Sequence, residues 1–523
     1  MEVNPQELAG IVEKTKGSLS AEDFAKLQAA MSTLTFVQAE LQQKGTSIDR
    51  LRRMLFGAPT EKTARIFKEE KAGSAKGARK PPAPGHGRNP AAAYTGAERK
   101  KVAHASLHGG DGCAECLKGK VYPVQEPAVL VRVTGIAPLS ATVWECERLR
   151  CNLCGEVYTA EGPEGLGTEK YDASATAMTG LLKYGTGLPF NRIEKLQEGL
   201  GIPLPASTQW ELVKGGAEKL EPAYEQLVEE AAQADVLHND DTTMKVLDLT
   251  REQVEAAAAG EPAERTGVYT SGIIATKGER AVALFFTGRQ HAGENLADVL
   301  QRRAAELKAP VQMSDALAAN TAGDFTSILA NCLSHARRGF VDVVNDFPDE
   351  CRFVLEVLKA VYRTDAEARS QCLSPAERLM LHQRESGPRM EKLEAWLDEQ
   401  VRERRVEPNS GLGAAIKYMR KHWTKLTLFL REPGAPLDNN ICERALKKAI
   451  LHRKNSLFYR SENGARVGDI FMSLIHTAEL CEANPFDYLV TLLRHHELVA
   501  DEPALWLPWN YRDTVANLTA VTS

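Results

Sequence analysis

The sequence lacks any run of some 18 apolar residues, which excludes a membrane-spanning helix of ordinary length. Its first residues also lack the basic-then-apolar pattern of a secretory signal peptide. Hydrophobic residues at 43% and charged residues at 26% exclude global disorder, a collagen-like chain and a disulfide-knotted mini-protein. We therefore expect a soluble cytoplasmic protein whose ten cysteines are thiols or metal ligands.

An overall excess of positive charge is also absent, because 65 Lys and Arg face 70 Asp and Glu. The charge is nevertheless unevenly placed. Between Asp49 and Lys101 there are 14 basic and 5 acidic residues, an excess of nine positive charges. Such segregation allows an acidic protein to contact a polyanion. Residues 70–103, rich in glycine, proline and basic side chains, are predicted to form a flexible basic linker.

The 523 residues allow three or four domains, and a change of pattern marks each predicted segment. Residues 1–69 are predicted to form a leucine-rich helical region, because Leu27, Leu34, Leu41, Ile48 and Leu55 recur every seven residues. This pattern fits either a short coiled coil between two chains or an amphipathic helix packed on its own chain.

Two Cys-x-x-Cys pairs lie in residues 104–168, on either side of a valine-rich strand pattern. They are Cys113 with Cys116, and Cys151 with Cys154. Two thiolates at this spacing grip one side of a tetrahedral ion, so the pairs predict a zinc ribbon that binds Zn²⁺. The alternatives are thiols without a metal or a redox pair, and Cys146 is a spare thiol nearby.

The remainder is predicted to be a multidomain α+β chain. Helical patterns fill residues 169–233, which fit either a helix-turn-helix or a connecting bundle. Strand patterns then dominate, including Met244–Leu249, Val268–Ala275 and Ala281–Phe286, with a helix over 292–307 and another between Asp315 and Ile328. The order β-β-β-α-β-α-β resembles a ribonuclease-H-like core. The predicted boundaries are 234–340 for its first part, 341–432 for a helical insertion, 433–495 for its last part and 496–523 for a tail.

Three acids occupy the ends of predicted elements. Asp240 follows one apolar strand, Asp315 follows another, and Glu443 lies one turn into a helix. Carboxylates are hard oxygen ligands that suit Mg²⁺ or Mn²⁺. Attack on a phosphodiester with two metals requires about three carboxylates that converge from different elements. The placement therefore predicts a phosphodiester-cleaving site.

Basic residues accompany this predicted site. The helix that carries Glu443 continues with Arg444, Lys447, Lys448, Arg453 and Lys454. Such a face could hold a DNA backbone at the metals, or it could be a solvated surface helix.

A second polar group lies near the last predicted strand and contains Cys332, His335, Arg337 and Arg338. His335 could bind a metal, relay a proton or cap the strand. We favour phosphate contact for the two arginines.

A series of motifs between about residues 48 and 490 resembles the large, or C-type, transposase of insertion sequence family sixty-six. The matching segments, in chain order, are Leu51 to Gly57 with Glu61-Lys62; the two cysteine pairs; Lys183-Tyr184 with Leu188-Pro189; Asp240 to Thr242; Asp315; Cys332 to Arg338; Asp438 to Arg444; Arg453 to Asn455 with Leu457-Phe458, Ser461 and Gly464; Thr477; and Asn484-Pro485 with Tyr488-Leu489. The ordered series is far more specific than any one motif.

This resemblance implies a DDE-type DNA transposase that cuts the 3′ ends of an insertion sequence and joins them to target DNA. Carried over residue by residue, it implies a catalytic triad of Asp240, Asp315 and Glu443 with Mg²⁺ or Mn²⁺. It implies Zn²⁺ at the four paired cysteines, and DNA-end binding or multimerisation by the N-terminal segment that contains Arg52 and Arg53. The implied partners are the terminal inverted repeats, target DNA, a second copy of the chain in a dimer or larger synaptic complex, and small accessory proteins of the same element.

Two departures from the family pattern concern the acids. Asp241 stands where the family often has Glu, and Ala316 to Ala319 stand where it often has an aromatic residue after the second aspartate. Asp324 is accordingly the alternative for the second acid. The alternative functions are a metal-dependent nuclease that does not join DNA ends and a non-catalytic, zinc-dependent DNA-binding protein.

Overall fold

A computed structural model describes residues 138–150, 157–161, 169–258, 265–323 and 325–522, with eight isolated positions before residue 164. Several predictions fall outside these residues and stay predictions. They concern the leucine-rich helix, Arg52 and Arg53, the basic linker, the cysteines Cys113, Cys116, Cys151 and Cys154, and Asp324.

The strands form two sheets. A small antiparallel pair joins β1 (Arg148–Arg150) to β2 (Val157–Thr159). The larger sheet contains five strands: β3 (Val236–Thr243), β4 (Tyr269–Lys277), β5 (Arg280–Gly288), β6 (Val311–Ser314) and β7 (Ile328–Asn331). Its order is β5-β4-β3-β6-β7; β5, β4 and β3 are antiparallel, whereas β3, β6 and β7 are parallel. Strands and helices mix as an α+β chain should, which agrees with the predicted class.

Helices precede, separate and follow the strands of the larger sheet along the sequence. In chain order they are α1 (Ala173–Gly180), α2 (Phe190–Gly199), α3 (Ala206–Ala232), α4 (Leu247–Ala258), α5 (Ala292–Leu300), α6 (Leu333–Asp342), α7 (Pro348–Ser370), α8 (Pro375–Glu385), α9 (Gly387–Arg402), α10 (Gly411–Lys421), α11 (Trp423–Leu426), α12 (Asn440–Ser456), α13 (Glu462–Leu480), α14 (Pro485–Arg494), α15 (His496–Asp501) and α16 (Tyr511–Thr522). In the part of the chain that the structure describes, no helix is both long and apolar enough to cross a membrane.

The chain divides into two compact units. The smaller unit contains Ala336–Arg369 and Glu385–Arg420, and the larger unit contains the sheet. In the smaller unit, the helical spacing of Val354, Leu355, Leu358 and Val361 predicts a buried stripe, and all four side chains are buried in α7. The rings of Phe353 and Trp396 then bring α7 and α9 together, with centroids 5.2 Å apart.

One edge of the larger sheet is covered by α13. Asp469, Ser473 and Thr477 are spaced by four residues along this helix and accept hydrogen bonds from the backbone N–H groups of Thr287, Phe285 and Ala283 in β5. Four helical residues rise about 6 Å and two strand residues about 6.8 Å, so the two ladders match. The helix thereby satisfies an edge strand that would otherwise expose unpaired donors.

Asp469 makes this edge contact sensitive to pH. Its carboxylate is buried, and burial raises its pKa from 3.8 to about 7 despite the hydrogen bonds from Thr287. The ionised form therefore destabilises the fold at higher pH. We expect Asp469→Asn to raise the melting temperature at about pH 8, with a difference that shrinks towards about pH 4, where folded wild type carries the proton. The upper limit is roughly 4 kcal/mol of unfolding free energy.

Thermal unfolding of both proteins across this pH range measures the effect. Ser473→Ala is the control, because it removes only a neutral acceptor from the Phe285 N–H and should lower the melting temperature equally at each pH. A difference between Asp469→Asn and wild type that is independent of pH would contradict the assignment.

The structure corrects several predicted elements. The strand predicted over Met244–Leu249 is wrong, because the backbone N–H groups of Leu247 and Asp248 donate to Tyr459 and Arg460 and the chain turns into α4. The helix predicted between Asp315 and Ile328 is also wrong for the described residues, where a single 3₁₀ turn stands at Ala318–Asn320.

The 3₁₀ turn at Ala318–Asn320 packs closely against α5. Gly293, near the start of α5, lies so near the turn that a Cβ there would meet the carbonyl oxygen of Thr321 at 2.2 Å and that of Ala319 at 2.6 Å. This close approach of the two backbones requires glycine at position 293. The helix predicted over 292–307 ends earlier, at Leu300, and the predicted helical segment 169–233 contains one long helix, α3, at Ala206–Ala232.

Candidate active site

Two acids lie side by side where the parallel strands end. The register pairs Val236 with Val311 and His238 with Met313, so Asp240 in β3 falls beside Asp315, the residue that directly follows β6. The carboxyl ends of neighbouring parallel strands meet at one edge of a sheet, which is why residues 75 positions apart are brought together here. The prediction that Asp240 follows the end of its strand is wrong, because antiparallel pairing with β4 continues β3 past Asp240 to Thr243.

The side chain of Asn320 bridges these two acids. Its Nδ2 donates to Asp315 Oδ1 at 2.6 Å and approaches Asp240 Oδ1 at 3.4 Å. Asn320 is 1% exposed, and its backbone oxygen accepts hydrogen bonds from the side chains of Asn239 at 2.7 Å and Gln312 at 2.6 Å. The amide is thus fixed by β3 and β6, and it holds both carboxylates in defined positions.

Glu443 reaches the same region from the first turn of α12, which packs against β3 and β4. Gly272 pairs with Asp240 across β3 and β4, and a Cβ on it would meet Leu446 at 3.0 Å. The missing side chain lets α12 approach the strand beside the acid. Cys442, fully buried, donates its thiol to the Gly272 carbonyl oxygen at 3.2 Å.

Asn439 fixes the start of α12. This residue is fully buried; its Nδ2 donates to the carbonyl oxygen of Asn239 at 3.1 Å, and its Oδ1 lies 3.2 Å from His238 Nδ1. Burial lowers the pKa of His238 to about 4, so this ring is neutral near pH 7 and adds no positive charge beneath the acids.

The electrostatics of the acids favour a bound cation. Burial raises the pKa of Asp240 from 3.8 to about 7, and the charges of Asp315, Asp241 and Glu443 raise it further. Glu443 Oε1 is buried without a hydrogen-bond partner among the described residues. Three mutually repelling carboxylates, one with an unsatisfied oxygen, are a donor set that fits Mg²⁺ or Mn²⁺. Asp241 is separately engaged, with Oδ2 2.8 Å from His291 Nδ1.

The predicted DNA-binding residues on α12 fall into two groups. Arg444, Lys447 and Lys454 are exposed. Lys448 instead pairs with Glu479 at 2.8 Å, and Arg453 donates to the hydroxyl groups of Thr242 at 3.2 Å and Thr243 at 2.6 Å. Arg337 and Arg338 lie half-buried on α6. The DNA-binding role of all seven residues stays a prediction. Arg453 also contacts the end of β3 through Thr242 and Thr243.

Sequence patterns missed the residues that position the acids. Asn320 and Asn439 are buried polar residues with no periodic signature, and Gly272 lies inside a strand pattern. The one signal in the sequence is the polar cluster Asp438-Asn439-Asn440, whose residue types are typical of a helix N-cap. The Asn439 side chain instead joins α12 to β3. The Cys332, His335 and Glu443 side chains form a further cluster that no motif placed on one site.

Comparison with known proteins gives one family match. A family model described as "Transposase IS66 family" matches residues 169–467, more than half of the chain. The relatives include three proteins of Sinorhizobium fredii (strain NBRC 101917 / NGR234). They are y4jD, 29% identical over 63% of this chain and 64% of its own length; y4hP, 28% identical over 63% and 60%; and y4qI, 26% identical over 66% and 63%. The chain thus matches less than two thirds of the length of each of these relatives.

Proposed function

Because the chain belongs to the IS66 transposase family, we propose that it cuts the ends of an insertion sequence and joins them to target DNA. The proposed catalytic residues are Asp240, Asp315 and Glu443, with Mg²⁺ or Mn²⁺ as cofactor. The observation that carries this proposal is the convergence of three acids from three elements, with the pKa of Asp240 raised by burial and by the other carboxylates.

The sheet supports a ribonuclease-H-like core. Three antiparallel strands come first in sequence, and β6 and β7 then add in parallel beside β3, the first strand of the sheet. This order places the first strand in the middle, so that its acid lies next to the acid after β6. A helix on one face then supplies the third carboxylate.

The proposed roles follow from the side-chain positions. When bound, Mg²⁺ or Mn²⁺ would activate an attacking water or 3′-hydroxyl and stabilise the departing oxygen of the phosphodiester. Asp240, Asp315 and Glu443 would hold the ions. Asn320 would fix the orientation of the two aspartates through the amide that they share. Asn439 and Gly272 would set the distance between α12 and β3.

Assay of the purified full-length chain on a labelled duplex that carries the end of its element tests this proposal. We expect nicking and joining in Mg²⁺ or Mn²⁺, and neither reaction by Glu443→Gln. Cleavage without joining would identify a nuclease. End binding with no cleavage, even after the accessory proteins of the element are added, would identify a DNA-binding protein that does not catalyse the reaction.

The exposed cations of α12 are proposed to contact the DNA backbone. We expect Lys447→Gln with Lys454→Gln to weaken DNA binding for all sequences alike. The plot of log affinity against log salt should become shallower by about 1.8, or about 0.9 for each lost phosphate contact. Lys448→Gln is the matched control on the same helix, because Lys448 is paired with Glu479, and its salt slope should equal that of wild type. Equal salt slopes for the double variant, Lys448→Gln and wild type would show that this face of α12 does not contact the DNA backbone.

A further inference from the structure

Cys332, His335 and Glu443 bring three different ligand types together beside the proposed catalytic acids. One ligand atom from each residue lies within 4.8 Å of the other two. Cys332 directly follows β7, His335 is in the first turn of α6, and Glu443 is in the first turn of α12. The cluster thus joins elements more than 100 residues apart, and it is distinct from the Asp240, Asp315 and Asn320 contact.

Two atoms of this cluster make no hydrogen bond within the described residues. His335 Nδ1 and Glu443 Oε1 are buried and have no hydrogen-bond partner in the described part of the chain. They lie 3.8 Å apart, which is too far for a hydrogen bond. Buried polar atoms without hydrogen bonds are unfavourable, so a third group between the two atoms would stabilise the site. A cation bound by both atoms would satisfy both.

The third ligand selects the kind of cation. Cys332 is fully buried, and its Sγ accepts a hydrogen bond from the Asn439 backbone N–H at 3.3 Å. Burial raises the pKa of this thiol to about 11 despite that hydrogen bond, so a bound ion must displace the proton. Thiolate with imidazole and carboxylate is then a ligand set typical of Zn²⁺ and unsuited to Mg²⁺. A tetrahedral site needs its ligand atoms roughly 3.5 Å apart, so a small side-chain movement would close this one.

We propose that Cys332, His335 and Glu443 form a binding site for Zn²⁺, and that its occupation withdraws Glu443 from Asp240 and Asp315. The thiol proton of Cys332 is released to solvent when the ion binds. Three protein ligands leave a fourth coordination position for water. The first half of this proposal concerns binding alone, and the second half rests on the proposed function. The site would make the transposase sensitive to free zinc.

Zinc content of the full-length chain tests the first half. We compare wild type, Cys332→Ser and His335→Gln after equilibration with Zn²⁺ and removal of loose metal by a weak chelator. Zinc held by the four cysteines of the predicted ribbon contributes equally to all three, so we expect wild type to hold one additional Zn²⁺ per chain. Crystals of wild type should also show anomalous scattering at the zinc edge between these three side chains.

Equal zinc content in wild type and in a folded variant, with no anomalous peak, would overturn the proposal. His335→Gln serves if Cys332→Ser does not fold, because Cys332 also contacts the start of α12. This measurement needs no activity, so it separates failure of the zinc site from failure of the proposed function.

Zinc inhibition tests the second half. At fixed Mg²⁺, each protein is compared with its own rate before zinc is added. We expect Cys332→Ser to need at least roughly tenfold more Zn²⁺ than wild type for half inhibition, since it lacks the thiolate ligand. If zinc binds at the three residues but wild type and Cys332→Ser need the same Zn²⁺ concentration for half inhibition, zinc binding does not withdraw Glu443 from the other two acids.

Discussion

Asp240→Asn is expected to slow DNA strand cleavage by at least roughly 10³-fold, which corresponds to about 4 kcal/mol of lost transition-state stabilisation. Asparagine keeps the size of the side chain and its contact with Asn320, but it removes the charge that a divalent cation requires. Single-turnover cleavage of the labelled end duplex, with DNA binding measured separately, gives the size of the effect. Binding should change little.

The same variant should keep the fold intact. The pKa of Asp240 is raised to about 7 by burial and by neighbouring carboxylates, so its ionised form destabilises the metal-free protein above that pH. We expect Asp240→Asn to melt at the same or a higher temperature at about pH 8. Asp241→Asn is the matched control: this acid pairs with His291, and cleavage should stay within roughly tenfold of wild type. If Asp241→Asn cleaved DNA slowly while Asp240→Asn cleaved it at the wild-type rate, Asp241 and not Asp240 would be the catalytic acid.

Asn320→Asp is expected to have the second largest effect. It replaces a donor shared by two carboxylates with a third carboxylate at 1% exposure. Like charges at this distance oppose one another, so protonation or local displacement must follow. We expect cleavage to fall by roughly 10²-fold and the free energy of unfolding to fall by about 2–3 kcal/mol near pH 8. Cleavage kinetics and denaturant unfolding measure the two quantities.

A buried charge introduced on α5, outside the sheet, provides the control. Asn295 is 7% exposed and donates to the Ser271 hydroxyl at 2.9 Å, without contact with the acids. Asn295→Asp should lose comparable stability while its folded fraction cleaves at close to the wild-type rate. If both variants lose activity equally, the loss for Asn320→Asp reflects unfolding and the bridging role of its amide is wrong.

Local patterns predicted much of the larger sheet. The apolar run Val268–Ala275 lies in β4 except for its first residue, and Ala281–Phe286 lies in β5. Asp315 directly follows β6, as predicted. Such strands can be predicted from a few consecutive residues, because their apolar pattern is local in the sequence. The strand prediction was wrong where a contact distant in sequence outweighs the local pattern. At the start of α4, the backbone N–H group of Leu247 donates to Tyr459 and that of Asp248 donates to Arg460.

Local patterns are enough to predict the chain order of the main strands, Asp315 directly after a strand, Glu443 in the first turn of a helix and the basic character of α12. The position of Asp240 inside β3, and the contacts that hold the three acids, depend on long-range packing. The Asn320 contact with Asp240 spans 80 residues, and the Asn439 contact with Asn239 spans 200. Such contacts depend on strand register and on where α12 meets β4 at Gly272, which no local periodicity encodes. The orphaned atoms of His335 and Glu443 arise from the same long-range packing.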